Sequence, residues 1–455
     1  MNGDTIAAIS TPLGEGGIGI VRLSGPQSAE ILNRIFVPRR GGRRTAPWRL
    51  TYGHVVDPER GDTIDEVLAV RMPAPNTYTR EDVVEINCHG GYAPLQAILS
   101  LVLRHGARLA RPGEYTLRAF LNGRIDLAQA ESVLDVVQAK TQVGLRVALD
   151  QLDGRLSKEV GKVRRSVISV LAYLTATIDF ADDEIPEQDV DGPLAEAVSG
   201  VEQLLSNAEA GIIYRQGLRA VIVGRPNVGK SSILNALLRQ NRAIVTPVPG
   251  TTRDTVEEVA NVKGLPVVLV DTAGISATED EVERLGVERS RAAMERADLI
   301  LWVVDGSCAL NEHDREIAGH LIAKPVIVVV NKCDVGTLVS EGELLELLPE
   351  SLLVHTSAVT GEGLQLLEEA VSEVVLAGKA SASDDLLVSN PRHKDALARA
   401  LGHLRSARES VASGLPADFV TIDLTDAASA LGEITGETVS EDLLETIFSK
   451  FCVGK

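Results

Sequence analysis

A short glycine-rich stretch, residues 224–232, fits the phosphate-loop pattern G-x-x-x-x-G-K-[ST] at every fixed position. A strand-like run, residues 218–223, precedes it, and a helix-like run, residues 231–238, follows it. In this context the glycines let backbone N–H groups turn onto phosphate oxygens, and the helix N-terminus adds a favourable dipole. We expect Lys230 to reach the β- and γ-phosphates of a nucleotide and Ser231 to bind Mg²⁺.

Further nucleotide-binding motifs follow the phosphate loop in the expected order. The strand-like run 267–270 ends in the D-x-x-G sequence of residues 271–274, which is typical of a nucleotide switch. A second run ends in the N-K-x-D sequence of residues 331–334, and the T-S-A sequence of residues 356–358 follows another strand-like run. The Asp carboxylate can accept two hydrogen bonds from guanine, a donor pair that adenine lacks. The set predicts a GTPase domain.

The switch sequence departs from the Ras-like pattern, because Ile275 stands where a glutamine would orient the attacking water. Glu283 is a candidate replacement, and an ordinary exposed helix carboxylate is the alternative. A monovalent cation held by the Asn227 amide oxygen and by carbonyls of residues 243–252 could supply the charge of an arginine finger. Thr252 in the same loop is expected to be the second Mg²⁺ ligand.

Composition and length limit what the rest of the chain can do. With 455 residues, about two to four domains are expected. A formal charge of −19 argues against a non-specific nucleic-acid binder. Residues 38–49 nevertheless carry five arginines, which could form a basic patch or a solvated loop. The cysteines show no zinc or disulfide pattern, the first residues resemble no targeting peptide, and no apolar run reaches the ~20 residues of a membrane span. These features predict a cytoplasmic protein that does not use a membrane.

The N-terminal residues 1–118 show the pattern of a mixed α/β domain. A G-x-G-x-x-G match at residues 14–19 precedes a β-branched, strand-like run. A dinucleotide site needs a helix at that position, so a glycine-rich turn is the preferred interpretation. Residues 119–213 show helical spacing typical of a bundle, and their acidic cluster at 182–184 is interpreted as a solvated turn rather than a cation site.

The central residues 214–376 alternate between strand-like and helix-like runs, which predicts a doubly wound, mostly parallel sheet. Residues 377–455 are helical again after a polar linker-like start. The nucleotide domain is therefore expected to be an insertion into a helical domain. Cys452 lies close to the end of the chain; its surroundings fit a prenylation motif poorly. A reactive thiol and a structural cysteine both remain open for this residue.

Together these features resemble the MnmE (TrmE) family of tRNA-modification GTPases along the whole chain. The segments that carry the resemblance are 111–116, 118–127, 224–232, 243–246, 250–254, 271–274, 281–284 and 451–455. The GTPase motifs alone would also suit an Era-like ribosome-assembly GTPase. The C-terminal cysteine motif and the N-terminal domain favour the MnmE family.

The resemblance implies a multidomain α/β fold: an N-terminal tetrahydrofolate-binding and dimerisation domain, a central helical domain, and an inserted Ras-like P-loop GTPase domain. It implies a homodimer that works with an MnmG (GidA) type flavoprotein, which would carry the FAD. Together they would add an aminomethyl or carboxymethylaminomethyl group to the wobble uridine of certain tRNAs. A formyl- or methylene-tetrahydrofolate derivative would supply the one-carbon unit, and K⁺ would stimulate GTP hydrolysis.

Site residues follow from the motifs and from the resemblance. Expected GTP contacts are Asn227, Val228, Gly229, Lys230, Ser231, Ser232, Thr246, Thr251, Thr252, Asp271, Thr272, Ala273, Gly274, Asn331, Lys332, Asp334, Ser357 and Ala358. The resemblance assigns Mg²⁺ to Ser231 and Thr252, and it assigns K⁺ to Asn227, Thr246, Val248 and Thr251. It assigns folate contacts to Arg22, Glu81, Arg124 and Lys455. Glu283 would be the general base acting through water, and Cys452 would be a catalytic residue.

Overall fold

The computed structural model describes residues 3–39, 45–180, 185–241, 258–271, 294–321, 324–376 and 386–455, with only the backbone at 240, 241 and 271. None of the helices in these ranges combines the length and apolarity that a membrane crossing requires. The acidic cluster at 182–184 and the polar linker-like stretch 377–385 were assigned from the sequence and lie outside the described residues.

The N-terminal part folds around a seven-stranded sheet with the order β3-β4-β5-β6-β2-β1-β7. Its elements are β1 (Ile6–Ile9), β2 (Gly16–Ser24), α1 (Ser28–Ile35), β3 (Phe36–Pro38), β4 (Thr51–Val56), β5 (Thr63–Met72), β6 (Val83–Gly90), α2 (Tyr92–Arg104) and β7 (Arg108–Leu109). Neighbouring strands are antiparallel except β1 and β7. In β5, Val67 and Ala69 are buried whereas Leu68 is exposed. This alternation buries one face of the sheet.

The G-x-G-x-x-G match continues into a strand. β2 begins at Gly16 and pairs antiparallel with β6. A Cβ atom on Gly19 would lie 2.8 Å from Cδ2 of Leu95 on α2, so glycine here permits close packing of helix on sheet. The turn-and-strand interpretation is therefore confirmed.

Helices follow the sheet and return at the C-terminal side of the chain. Before the nucleotide domain they are α3 (Glu114–Leu121), α4 (Leu127–Gln138), α5 (Gln142–Leu152), α6 (Arg155–Asp179), α7 (Asp191–Ser206) and α8 (Ala208–Gln216). The boundary expected at residue 118 falls inside α3.

The central sheet has six strands in the order β13-β12-β11-β8-β10-β9. Its elements are β8 (Leu218–Val223), α9 (Lys230–Asn241), β9 (Glu258–Val262), β10 (Leu265–Asp271), β11 (Leu299–Asp305), α10 (Glu312–Gly319), β12 (Val326–Asn331), α11 (Glu341–Leu347), β13 (Leu352–His355) and α12 (Leu364–Leu376). Only β9 is antiparallel to its neighbour. Alternate residues of β11, such as Leu301 and Trp302, enter different core clusters, so both faces are covered. The mostly parallel, doubly wound sheet is confirmed.

The chain then returns to the helical part with α13 (Pro391–Ala412), α14 (Ala417–Thr435) and α15 (Glu441–Phe448). One hydrophobic core joins helices from both sides of the nucleotide domain: it contains Val167 of α6, Leu194 of α7, Leu404 of α13 and Leu424 of α14. The segments that flank the nucleotide domain are neighbours, because a Cβ atom on Gly211 would lie 2.2 Å from the carbonyl oxygen of Val388. The nucleotide domain is thus inserted into the helical domain.

Candidate nucleotide-binding and N-terminal sites

The phosphate loop connects β8 to α9 at the carboxyl edge of the parallel strands. Gly224 and Gly229 have positive φ angles of 147° and 101°. A Cβ atom at Gly224 would lie 2.3 Å from the carbonyl oxygen of Val303, and one at Gly229 would lie 2.2 Å from Nδ2 of Asn331. Asn227 also has a positive φ, 67°, which asparagine tolerates better than most residues. The loop therefore owes its shape to residues that leave room for the ends of β11 and β12.

Lys230 begins α9 and points back into the loop. Its ammonium donates hydrogen bonds to the carbonyls of Gly224 at 2.8 Å and Arg225 at 2.9 Å. Ser231 and Ser232 follow in the first turn of the helix and are exposed. The positive end of the helix dipole, a buried lysine and an exposed hydroxyl thus meet at one place. This combination suits the phosphates of a nucleotide and their metal ion.

The side-chain amide of Asn331 joins the phosphate loop to the loop after β13. Its Nδ2 donates to the carbonyl of Val228 at 2.9 Å, and its Oδ1 accepts from the backbone N–H of Ala358 at 3.1 Å. Asn331 is 2% exposed, so both hydrogen bonds are shielded from water. Ser357 is also buried and lies beside this contact. The N-K-x-D and T-S-A sequences are therefore brought together, as the sequence predicted.

Lys332 forms a second connection to the phosphate loop. Its ammonium donates to the carbonyl of Asn227 at 2.8 Å and to Oδ2 of Asp305 at 2.7 Å. Burial alone would raise the pKa of Asp305, but hydrogen bonds from Lys332 and Ser307 lower it below its usual value. Asp305 therefore stays ionised and holds the lysine over the loop. Asp334 is exposed in the short 3₁₀ turn that follows, where a base could reach its carboxylate.

Several predicted site residues lie outside the described residues. They are Thr246, Val248, Thr251, Thr252, Thr272, Ala273, Gly274 and Glu283. The backbone of Asp271 ends β10 at the same sheet edge as the phosphate loop. The assignments of the second Mg²⁺ ligand, the K⁺ loop and the general base stay predictions.

A second group of predicted residues lies on the N-terminal sheet and the end of the chain. Arg22 is paired with Glu85 at 2.8 Å and donates to the carbonyl of Gly454 at 3.3 Å. Burial lowers the pKa of the neighbouring Lys455, and the positive charge of Arg22 lowers it further. The backbone N–H of Tyr115 donates to the carbonyl of Lys455 at 3.2 Å, which fixes this segment to α3. Arg22 and Lys455 are therefore brought together.

Arg124 lies at an open cleft of about 420 Å³ on the same domain. Its guanidinium carbon is 4.7 Å from the ring centroid of Tyr78, a cation–π contact. The cleft is lined by Trp48, Met72, Pro75, Asn76, Thr77, Tyr78, Arg80 and Arg124. Burial raises the pKa of Tyr78, whereas the hydrogen bond with Thr116 and the charges of Arg124 and Arg22 act to lower it.

Glu81, the fourth predicted folate contact, is engaged by other side chains. Arg118 donates to it at 3.0 Å and 3.1 Å, and the hydroxyl of Ser24 donates to it at 2.7 Å. Arg118 also pairs with Asp4 and Glu114. Sequence reasoning missed Arg118; the signals were its position four residues after Glu114 on one helix and a charge among the apolar residues of α3.

Cys452 is exposed, whereas Cys88 is buried. The carbonyl of Cys452 accepts a hydrogen bond from Gly113 at 3.4 Å. Gly454 has a φ of 98°, and a Cβ atom there would lie 2.4 Å from the carbonyl oxygen of Ile9. The C-terminal residues therefore dock tightly on β1 while the thiol faces solvent.

Two family models match almost the whole chain. One described as "GTP-binding protein TrmE N-terminus" matches residues 5–124, and one described as "MnmE helical domain" matches residues 127–452. A protein from Alkaliphilus metalliredigens named "tRNA modification GTPase MnmE" is 50% identical, covering 99% of both chains. A protein of the same name from Roseiflexus castenholzii is 53% identical and covers 100% of both chains.

Among solved structures, Era of Aquifex aeolicus bound to GDP and aluminium fluoride is 31% identical to part of the chain. The match covers 41% of this chain and 66% of Era, with a TM-score of 0.29. The full-length relatives and the two family models decide the assignment: this chain belongs to the MnmE family of tRNA modification GTPases.

Proposed function

We propose that this chain binds Mg²⁺ and GTP between β8 and α9 and hydrolyses the nucleotide in the course of tRNA modification. The observation that carries the proposal is the buried amide of Asn331, which ties the phosphate loop to the guanine-side loop. One residue thereby fixes the spacing between the base site and the phosphate site. Relatives named tRNA modification GTPase match over essentially full length, which supports the tRNA substrate. We propose that the chain acts in the cytoplasm.

For hydrolysis, Lys230 would hold the β- and γ-phosphates, and Ser231 with Thr252 would hold Mg²⁺. The bound metal would neutralise charge that develops on the transferred phosphoryl group. Asn227 is exposed in the loop, where its amide oxygen could hold K⁺ together with Thr246, Val248 and Thr251. Glu283 would orient the attacking water, the task of the glutamine that Ile275 replaces.

In the N-terminal domain, Arg124 lines an open cleft, and Arg22 and Lys455 lie together near the end of the chain. We propose that these cationic groups hold a tetrahydrofolate derivative, whose glutamate tail carries carboxylates. Tyr78 offers an aromatic face at the same cleft. Glu81 is committed to Arg118, so it would contact the ligand only beside that ion pair. The bound folate would supply the one-carbon unit, and these residues would hold its anionic groups.

The complete modification reaction would require further partners. An MnmG-type flavoprotein carrying FAD would join this chain to install an aminomethyl or carboxymethylaminomethyl group on the wobble uridine. Cys452 would act as an exposed thiol near Arg22 and Lys455. A homodimer would form through the N-terminal domain, where Trp48, Tyr52 and Leu68 expose apolar surface.

The GTPase proposal is tested by hydrolysis rates of the purified chain in K⁺ and in Na⁺, with Glu283→Ala as the variant. We expect strongly slower turnover in Na⁺, and we expect Glu283→Ala to bind GTP with little turnover. Equal rates in the two salts would refute the potassium assignment. An unchanged kcat would return Glu283 to the role of a surface carboxylate.

The modification proposal is tested by mass spectrometry of tRNA nucleosides from cells lacking the chain. The cells are complemented with the wild-type chain or with Cys452→Ser. We expect the wobble modification to return only with the wild type. Restoration by both would assign Cys452 a structural role. A modification that never changes would favour a ribosome-assembly function.

A further inference from the structure

The inserted GTPase domain is joined to the helical domain by two segments of chain, and one turn of α4 contacts both. On the incoming side, Arg215 lies in the last turn of α8, just before β8. Its Nε lies 2.7 Å from Oδ1 of Asp135, which is buried on α4. The position at which the chain enters the GTPase domain is thereby fixed to α4.

On the outgoing side, Glu131 of the same helix turn receives three side chains from the start of α13. Asn390 Nδ2 donates to its Oε1 at 3.0 Å, and Arg392 donates to both carboxylate oxygens at 3.1 Å and 2.6 Å. His393 Nε2 lies 2.7 Å from Oε2. The side chain of Glu131 is 9% exposed and that of His393 is fully buried, so water cannot replace these contacts.

The residues just before α13 are held as well. Gln151 of α5 donates through Nε2 to the carbonyl of Leu387 and to the hydroxyl of Ser389, both at 2.9 Å. Leu386 also belongs to the core cluster of the GTPase domain. The outgoing segment is therefore attached to the GTPase domain at one end and to α4 and α5 at the other.

A different face of α4 packs against the C-terminal segment. Leu127 and Ala130 of α4 share one hydrophobic cluster with Ile447, Phe448 and Phe451, and Val133 and Leu134 pack against it. Cys452 follows Phe451 directly. A displacement of α4 must move this cluster, because protein interiors are close-packed and do not absorb such shifts locally.

We propose that α4 couples the two sites: Glu131 and Asp135 transmit a change in the nucleotide-bound GTPase domain to the segment that carries Cys452. Glu131 is held by several hydrogen bonds and Asp135 by its pair with Arg215. Neither buried carboxylate can exchange partners freely, since a broken pair leaves an uncompensated charge. The two segments that join the GTPase domain to the helical domain therefore move together with α4 as one body. The inference rests on the proposed GTPase function and assigns Glu131 a positioning role.

The test measures the alkylation rate of Cys452 by iodoacetamide in the full-length chain, by peptide mass spectrometry. It compares GDP with a non-hydrolysable GTP analogue, both with Mg²⁺ and K⁺. When two sites are coupled, a ligand at one site commonly changes the affinity of the other by about fivefold or more. We expect a rate ratio of at least about fivefold in the wild type, falling towards one in Glu131→Gln and in Asp135→Asn.

GTP hydrolysis by both variants should stay at the wild-type rate, because neither residue touches the nucleotide site. The matched control is Arg399→Gln, which removes partly exposed ion pairs with Asp395 of α13 and Glu433 of α14. This variant should retain the ratio. Circular dichroism checks that each variant is folded. If Glu131→Gln does not fold, the result with Asp135→Asn decides the test of the coupling.

A wild-type ratio of one, with GTP still hydrolysed, would overturn the coupling and leave the proposed function intact. A full ratio in the folded variants would also overturn it. Absence of GTP hydrolysis by the wild-type chain would instead refute the proposed function, and the coupling with it.

Discussion

Asn331 and Asp334 belong to one motif but have different surroundings. Asn331 is buried and its amide is used up by contacts with Val228 and Ala358. Asp334 is exposed, so its carboxylate is available to a ligand. The first residue therefore sets the shape of the site, and the second can set its specificity.

Replacing Asp334 with Asn should change which base is accepted. The proposed role of the carboxylate is to accept hydrogen bonds from guanine N1–H and the exocyclic amine, whereas an amide would present one acceptor and one donor. We expect kcat/KM for GTP to fall by about 100-fold or more and the preference to move towards xanthosine triphosphate, because an unpaired polar group in a binding site is costly.

Competition of GTP, ATP and xanthosine triphosphate for the purified chain would measure this preference. Glu362→Gln, which changes an exposed carboxylate in the nearby loop after β13, is the control. An unaltered preference for GTP in Asp334→Asn would show that the N-K-x-D sequence does not recognise the base.

At the scale of elements, the contact between α4 and α13 depends on an ionised carboxylate inside the helical domain. Burial alone would raise the pKa of Glu131, but hydrogen bonds from His393 and Arg392 and the charge of Arg392 lower it to about 2. Burial also lowers the pKa of His393, which favours its neutral form. Both groups bind fewer protons in the folded chain than in the unfolded chain at mildly acidic pH.

Stability should therefore decrease as the pH falls. The unfolded chain takes up a proton on Glu131 below about pH 4.5, so the stabilisation by this group is complete above that pH and is lost as the pH falls towards 2. His393 causes a further loss of stability as the pH falls below about 6.5, because the unfolded chain then takes up a proton on this residue. We expect Glu131→Gln to cost about 3 kcal/mol at pH 7, since it breaks a buried ion pair.

Urea unfolding of the wild type and Glu131→Gln at pH 7, 4.5 and 3.5 would measure the difference in their free energies of unfolding. This difference should become smaller between pH 4.5 and 3.5. Glu409→Gln, at an exposed position of α13, should match the wild type throughout. A pH-independent difference would mean that the Glu131 charge does not contribute to the stability of the helical domain.

At the scale of the whole molecule, the described residues contain separate hydrophobic cores. The GTPase domain has a core on each face of its sheet, whereas α6, α7, α13 and α14 share another. We expect calorimetry to show more than one unfolding transition. GTP with Mg²⁺ should raise the midpoint temperature of the GTPase-domain transition only. A ligand stabilises the domain that binds it by about 2.7 kcal/mol at 100 times its Kd.

Lys230→Ala provides the comparison for this measurement, because it removes the proposed phosphate contact and should abolish the shift on adding GTP. A single transition that moves as a whole would show that the inserted domain and the helical domain unfold together.

The sequence predicted the elements that depend on patterns of neighbouring residues. The phosphate loop, the strand before it and the helical character of residues 119–213 and 377–455 follow from short-range patterns, and the structure has α4, β8 and α13 there. β4 (Thr51–Val56) was not predicted, because its polar, aromatic and glycine residues give a weak alternating pattern. The contact of Glu131 with His393 spans 262 residues, so no local pattern could reveal it.

The contact between Arg22 and Gly454 joins residues 432 positions apart. During translation, the intervening GTPase domain must be made before the second residue exists. At about 5 to 20 residues per second, this interval is roughly 20 to 90 s. The N-terminal sheet is therefore synthesised well before Arg22 can make its contact with the end of the chain. Arg22 can join Gly454 only after the whole GTPase domain has been synthesised.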